Sequence, residues 1–178
     1  MKVNKIEKII ENNIKIPSKE KFCAIIGLTP SQGARSPILW NKTYKKMKKK
    51  IRMIPFDCKI KNFNDLLKAL ENQKNFIGGA IAAPFKEKTA LWLGQSITKK
   101  SKKIGAVNCI FKRNNNKLIG TNTDGEGAII SIKKNFGLIK NKNIIIMGTG
   151  GTAKAIVAYL VPELGSKGCL KIIGRNYK

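Results

Sequence analysis

Ile144-Ile145-Ile146-Met147-Gly148-Thr149-Gly150-Gly151-Thr152-Ala153 is the stretch whose reading decides the fold class. Four apolar residues in a row read as a buried strand. The glycines that follow read as a tight turn, and Lys154 to Leu164 as a helix. Leu170-Lys171-Ile172-Ile173 supplies a second strand. Strand, glycine turn, helix and strand within about thirty residues form the βαβ unit in which backbone N–H groups at a helix N-terminus cradle phosphate. Gly148 permits the turn and Gly150 lets backbone approach a pyrophosphate. Ala153 is small enough for helix-strand packing. Thr149, Gly151 and Thr152 complete the candidate loop. An ordinary strand-to-helix turn would use the same glycines, but the flanking strands favour a dinucleotide. Gly174-Arg175-Asn176 closes the second strand with an arginine and no acid, which favours a ribose 2′-phosphate and so NADP.

Upstream, apolar runs alternate with helical patterns. Phe22 to Gly27, Ile51 to Phe56 and Ile77 to Ala82 read as strands. Between them lie a helix opened by Ser36-Pro37, with Ser36 as its cap and Ile38, Leu39, Tyr44 and Met47 as its apolar side, and a helix starting at Asn62 to Asp65. Gly105 to Phe111 and Lys117 to Thr121 read as strands joined through Asn114-Asn115-Asn116. Asp124-Gly125 opens a helix whose buried side is Ala128, Ile129 and Ile132. The expected architecture is α/β: a mostly parallel substrate domain followed by the first βαβ unit of a Rossmann-type domain. The expected boundaries are a polar N-terminal extension at 1–20, a substrate-binding and catalytic domain at 21–123, and a partial cofactor domain at 124–178. A dinucleotide domain normally continues for several more strands, so the sequence reads as truncated after its first unit.

Composition narrows the chemistry. The 178 residues carry 36 basic and 10 acidic side chains, a net charge of +26. Only four of the basic residues are arginine (Arg35, Arg52, Arg113 and Arg175), and the lysines are spread along the whole chain. That pattern reads as solvated surface and compositional bias rather than a nucleic-acid interface, although charge alone keeps that alternative open. Histidine is absent, which removes Ser-His-Asp and Cys-His catalysis and His-ligated zinc. Acid-base chemistry falls to Lys, Asp, Glu, Tyr or Cys. Cys23, Cys58, Cys109 and Cys169 form no CxxC pair and read as free, buried thiols with no metal. No apolar run approaches the roughly 18 residues of a membrane span. No leader pattern precedes the first strand, so a cytoplasmic protein, monomeric or homodimeric, is expected.

Read together with the glycine loop, three further segments resemble the shikimate dehydrogenase family. Members carry Asn-Val-Thr-x-Pro-x-Lys after a strand, where this chain has Ala80-Ile81-Ala82-Ala83-Pro84-Phe85-Lys86. They carry Gly-Ala-Val-Asn-Thr, where this chain has Gly105-Ala106-Val107-Asn108-Cys109, and Asn-Thr-Asp-Gly, which Asn122-Thr123-Asp124-Gly125 reproduces. The resemblance covers residues 22 to 178. It implies two α/β domains with substrate and nicotinamide in the cleft between them. It implies reversible NADP-dependent reduction of 3-dehydroshikimate to shikimate, a step towards chorismate and the aromatic amino acids. The family's catalytic pair maps to Lys86 and Asp124. A lysine beside a carbonyl can stabilise the developing oxyanion and deliver a proton, and an aspartate can hold it in place. Asn108 would contact a substrate hydroxyl.

The family's Ser-x-Ser-Pro segment, which binds the substrate carboxylate, reads Ala34-Arg35-Ser36-Pro37 here. Ser36 keeps one hydroxyl and Arg35 offers a charge, while Ala34, Ala80 and Ala82 replace polar side chains. Two alternatives therefore stand beside shikimate dehydrogenation: a related oxidoreductase for another small hydroxy acid, and a non-catalytic binding module.

Overall fold

In a computed structural model of the chain, residues 4–175 are described. Three strands, β1 (Lys21–Gly27), β2 (Ile51–Asp57) and β3 (Phe76–Ile81), run parallel, and β4 (Cys109–Lys112) and β5 (Leu118–Thr121) extend the sheet antiparallel. The order is β2-β1-β3-β4-β5. The mixed, mostly parallel α/β expectation holds. β1 sits inside the sheet and is buried from Phe22 to Gly27. Its alternate residues face two different clusters, as the period of a strand requires. Phe22, Ala24 and Ile26 join the main core with Phe56, Phe63 and Phe76. Cys23 and Ile25 join a smaller cluster with Met53 on the other face. In the main core the rings of Phe22 and Phe76 lie 5.4 Å apart and those of Phe63 and Phe85 stack at 4.2 Å. Gly79 is needed where β3 crosses β1, because a Cβ there would run into the carbonyl of Ala24.

β2 is an edge strand, and its sequence manages that edge. Pro55 has no N–H to leave unpaired. The carboxamide of Asn41 accepts from the Met53 N–H at 2.7 Å and donates to its carbonyl at 3.0 Å. Asn12 does the same with Pro55 and Asp57, donating to the Pro55 carbonyl and accepting from the Asp57 N–H. These bonds explain two departures from the sequence expectations. Helix α1 (Ser36–Lys46) meets the sheet through Asn41 and Tyr44, leaving Ile38, Leu39 and the following Met47 exposed. Its cap position is Arg35, and Ser36, already in the helix, makes no capping bond. The N-terminal segment is no free polar extension: Ile6, Ile10 and Ile16 are buried in the main core.

Two helices escaped the sequence reading. α3 (Phe85–Leu93) follows β3 directly, and α4 (Lys99–Ile104) takes in residues ahead of β4. The strand expected from Gly105 is therefore shorter, because Gly105 caps α4 in the left-handed conformation. α2 (Phe63–Asn72) and α5 (Asp124–Phe136) lie where expected. β6 (Asn143–Met147), α6 (Gly151–Leu164) and β7 (Cys169–Ile173) form the anticipated βαβ unit, with β6 and β7 parallel. Ile129 of α5 packs with Leu160 and Leu164 of α6, so α5 and the βαβ unit share a core separate from that of the sheet. Cys23 and Cys58 are buried as expected; Cys169 is exposed. Among the described residues no helix is long and apolar enough to cross a membrane.

Candidate active site

Three helix starts converge at the site. Lys86 is the second residue of α3, Asp124 the first of α5, and Thr152 the second of α6. The Lys86 Nζ donates to Asp124 Oδ2 at 2.5 Å and to Thr152 Oγ1 at 2.6 Å. The Lys86 and Asp124 side chains are 16% and 21% exposed, against 60% and 38% for the Lys59–Glu11 pair at the surface. Shielding of that kind separates an ion pair that holds a geometry from one that solvent dissolves.

Asp124 is fixed from several sides. Its Oδ1 accepts from Asn108 Nδ2 at 2.6 Å. Its backbone N–H donates to Asn122 Oδ1 at 3.0 Å, and the buried Asn122 amide also donates to the Ala106 carbonyl at 3.1 Å. Asn108 further donates to Thr123 Oγ1 at 3.1 Å and accepts from the Thr123 N–H at 2.9 Å. Asn108 is therefore tied to the Asp124 turn rather than standing free. Asn122 went unassigned in the sequence reading, although an Asn two residues before an Asp is the pattern of a local side-chain turn. The Lys86 carbonyl accepts from the Val107 N–H at 2.9 Å, which joins α3 to the Asn108 segment.

The glycine loop is seated against this pair. A Cβ on Gly151 would lie 3.2 Å from the Lys86 Cβ and 3.1 Å from the Ala106 Cβ. Lys154 pairs with Glu87 at 3.0 Å, so the first turns of α3 and α6 touch twice. Gly125 lets α5 and α6 approach, since a Cβ there would meet the Ala155 carbonyl and the Tyr159 ring. The helix starts at Gly151, three residues earlier than expected, so Gly151, Thr152 and Ala153 form its first turn. Gly148 has φ +120°, the conformation its place in the turn requires. No side chain caps α6, leaving its first N–H groups for an anion. One cleft of about 610 Å³ lies between the loop and Lys86, reaching from Pro84 to Ala153. A second of the same size is bounded by Gly148, Thr149, Gly150, Gly174 and Arg175. Asn176 lies outside the described residues.

A third cavity, of about 360 Å³, opens between α1 and the sheet and reaches Asn108 and Thr123. Its wall includes Cys23, Trp40, Tyr44 and Met53. Burial pushes the Cys23 thiol up, and its 3.3 Å contact with the Tyr44 hydroxyl offsets part of that. Tyr44 is raised as well, by burial first and by Cys23 second. Both groups stay neutral near pH 7. Ala34, Ala80 and Ala82 pack against this same apolar cluster. Arg35 and Ser36 sit at the start of α1 and take no part in the Lys86–Asp124 network. The loop ahead of them is anchored by the buried Asp57, which accepts from Ser31 N at 2.9 Å and Ser31 Oγ at 2.5 Å.

Residues 25–110 match the shikimate dehydrogenase substrate binding domain. A shikimate dehydrogenase (NADP(+)) of Methanococcus maripaludis is 36% identical over 161 residues, covering 90% of this chain and 55% of that protein. One from Prochlorococcus marinus is 37% identical, covering 90% and 54%. This chain is similar to shikimate dehydrogenases over nine-tenths of its length and carries their substrate binding domain at residues 25–110. A crystal structure of a shikimate dehydrogenase in complex with NADP+ superposes with a TM-score of 0.79 at 30% identity, covering 91% of this chain and 54% of that one. The chain thus spans about half the length of the curated relatives it matches. What it shares with the family is a substrate domain and the start of a Rossmann domain.

Proposed function

We propose that this chain forms the substrate domain and first cofactor-binding unit of an NADP-dependent oxidoreductase that interconverts 3-dehydroshikimate and shikimate on the route to chorismate. The observation that carries this reading is the 2.5 Å pair of Lys86 and Asp124, seated against the glycine loop. The two-part organisation, 21–123 and 124–178, is supported by α5 packing on α6 and not on the main core. The two clefts beside Gly148 to Thr152 suit a dinucleotide. In this reading the N–H groups of Gly150, Gly151 and Thr152 hold its pyrophosphate, with Thr149 and Ala153 shaping the turn. Arg175, with Asn176 beside it, takes the 2′-phosphate. Bound there, NADPH supplies the hydride.

Lys86 and Asp124 are the catalytic pair. Lys86 holds its ammonium where negative charge develops on the carbonyl oxygen and donates the proton. Asp124 keeps the ammonium oriented, and Asn108 and Asn122 keep Asp124 in place. Ser36 and Arg35 receive the substrate carboxylate. Asn108 reaches a ring hydroxyl by exchanging its longer bond to Thr123. A second reading, a related small hydroxy acid as substrate, is favoured by Ala34, Ala80 and Ala82, which extend the apolar cluster and offer no hydrogen bonds.

The test is NADP+ reduction, followed at 340 nm, over shikimate, quinate and related hydroxy acids. Shikimate turnover that falls by about 10²–10⁴ in Lys86→Met supports the primary reading. Turnover of another acid with none of shikimate selects the second reading. Unchanged turnover in Lys86→Met removes Lys86 from the chemistry.

A further inference from the structure

We propose that Thr152 is a positioning residue, whose hydroxyl bridges Lys86 and Asp124 and ties the state of the glycine loop to the geometry of the pair. The proposal rests on the reading of Lys86 and Asp124 as the catalytic pair.

The three polar atoms close a triangle. Lys86 Nζ lies 2.5 Å from Asp124 Oδ2 and 2.6 Å from Thr152 Oγ1, and Oγ1 lies 3.3 Å from the same Oδ2. The donors and acceptors are consistent. The ammonium spends one N–H on the carboxylate and one on the hydroxyl, and the hydroxyl's own hydrogen points on to the carboxylate. One N–H remains for a substrate oxygen. Without Oγ1, Nζ is held at one point and the flexible four-carbon stem can swing about it. With Oγ1, it is held at two.

The second anchor comes from a different unit of the fold. Lys86 and Asp124 stand at the starts of α3 and α5, while Thr152 lies in the first turn of α6 beside Gly150 and Gly151. The Gly151 backbone packs against the Lys86 stem, and Lys154–Glu87 locks the same two helix starts together. A shift of the loop on receiving a phosphate therefore moves an atom bonded to the Lys86 ammonium. Thr152 is exposed and makes no core contact, so it is not there to stabilise the helix.

The experiment compares Thr152→Val, which keeps shape and loses the hydroxyl, with Thr152→Ser, which keeps the hydroxyl. The first readout needs no turnover: the acylation rate of Lys86 by trace acetic anhydride, read by peptide mass spectrometry with and without NADP+. Loss of one modest hydrogen bond should raise the Lys86 rate about threefold to tenfold in Thr152→Val, with Thr152→Ser near the parent. NADP+ should change the Lys86 rate in the parent and much less in Thr152→Val. The second readout is turnover of whichever acid the chain accepts. In Thr152→Val kcat falls about fivefold with KM for the acid unchanged, and the pH profile of kcat shifts. Identical Lys86 labelling in parent and Thr152→Val overturns the proposal. If no acid is turned over, the labelling result still decides the role of Thr152, and only the catalytic reading falls.

Discussion

β1 and β6 are both runs of apolar residues, each opening a strand-turn-helix unit with its neighbour in parallel register. Their surroundings differ. β1 is covered on both faces and paired on both edges, with Phe22, Ala24 and Ile26 wholly buried. β6 is paired only with β7 among the described residues, and α5 and α6 cover one of its faces through Ile144 and Ile146. Ile145 and Met147, on the other face, are 58% and 85% exposed. An unbroken apolar run within a strand is written for cover on both sides. β1 has that cover. Within this chain, β6 has half of it.

The difference predicts where a substitution is felt. The largest effect belongs to Phe22, whose ring meets both Phe56 and Phe76. Phe22→Ala should lower the unfolding free energy by about 3–5 kcal/mol, read from urea denaturation followed by circular dichroism. A loss under about 1 kcal/mol would mean that the core collapses around the gap, and would erase the contrast with β6.

The thiols carry a smaller effect with a pH signature. Cys58, just after β2 and buried in the main core, is pushed up from 9.0 to about 11 by burial first and by the nearby Glu11 charge second. A group raised on folding contributes stability that is fully present below its unfolded value and is lost as pH rises through its folded value. The loss therefore falls between about pH 9 and pH 11. The urea midpoint should drop between pH 8 and pH 10.5 by more in the parent than in Cys58→Ala, the difference amounting to no more than about 2 kcal/mol. Lysine titration is common to both proteins and cancels. Cys169, exposed at the start of β7, should be the first thiol to react with a disulfide reagent at pH 8, and Cys58 among the last. Equal rates would show that the core opens as readily as the βαβ unit.

How far the sequence revealed this arrangement depends on the range over which each feature is encoded. The strands were legible because their apolar runs are local. α4 carries local signals as well: Thr98 caps it by accepting from the Ser101 N–H, and Gly105 ends it in the left-handed conformation. α3 carries Phe85, Thr89, Ala90 and Leu93 on one buried side, a helical spacing masked by the lysines between them. Lys86 and Asp124 were found by motif, and the fold brings them together across 38 residues. Thr152 was assigned to phosphate binding, because its bond to Lys86 depends on how α6 seats on α3. No local pattern encodes that seating. Ile6, Ile10 and Ile16 were lost in a polar composition, since only the finished core shows what they cover.

The smallest effect should come from the open face of β6 and β7. Ile145 and Ile173 are each more than half exposed, so each retains only part of the roughly 1.5–3 kcal/mol that full burial of such a side chain provides. Ile145→Ser and Ile173→Ser should each change the unfolding free energy by less than about 1 kcal/mol. A destabilisation as large as that of Phe22→Ala would show that this face is covered in solution. The two strands would then differ in what supplies the cover, and not in whether cover is needed.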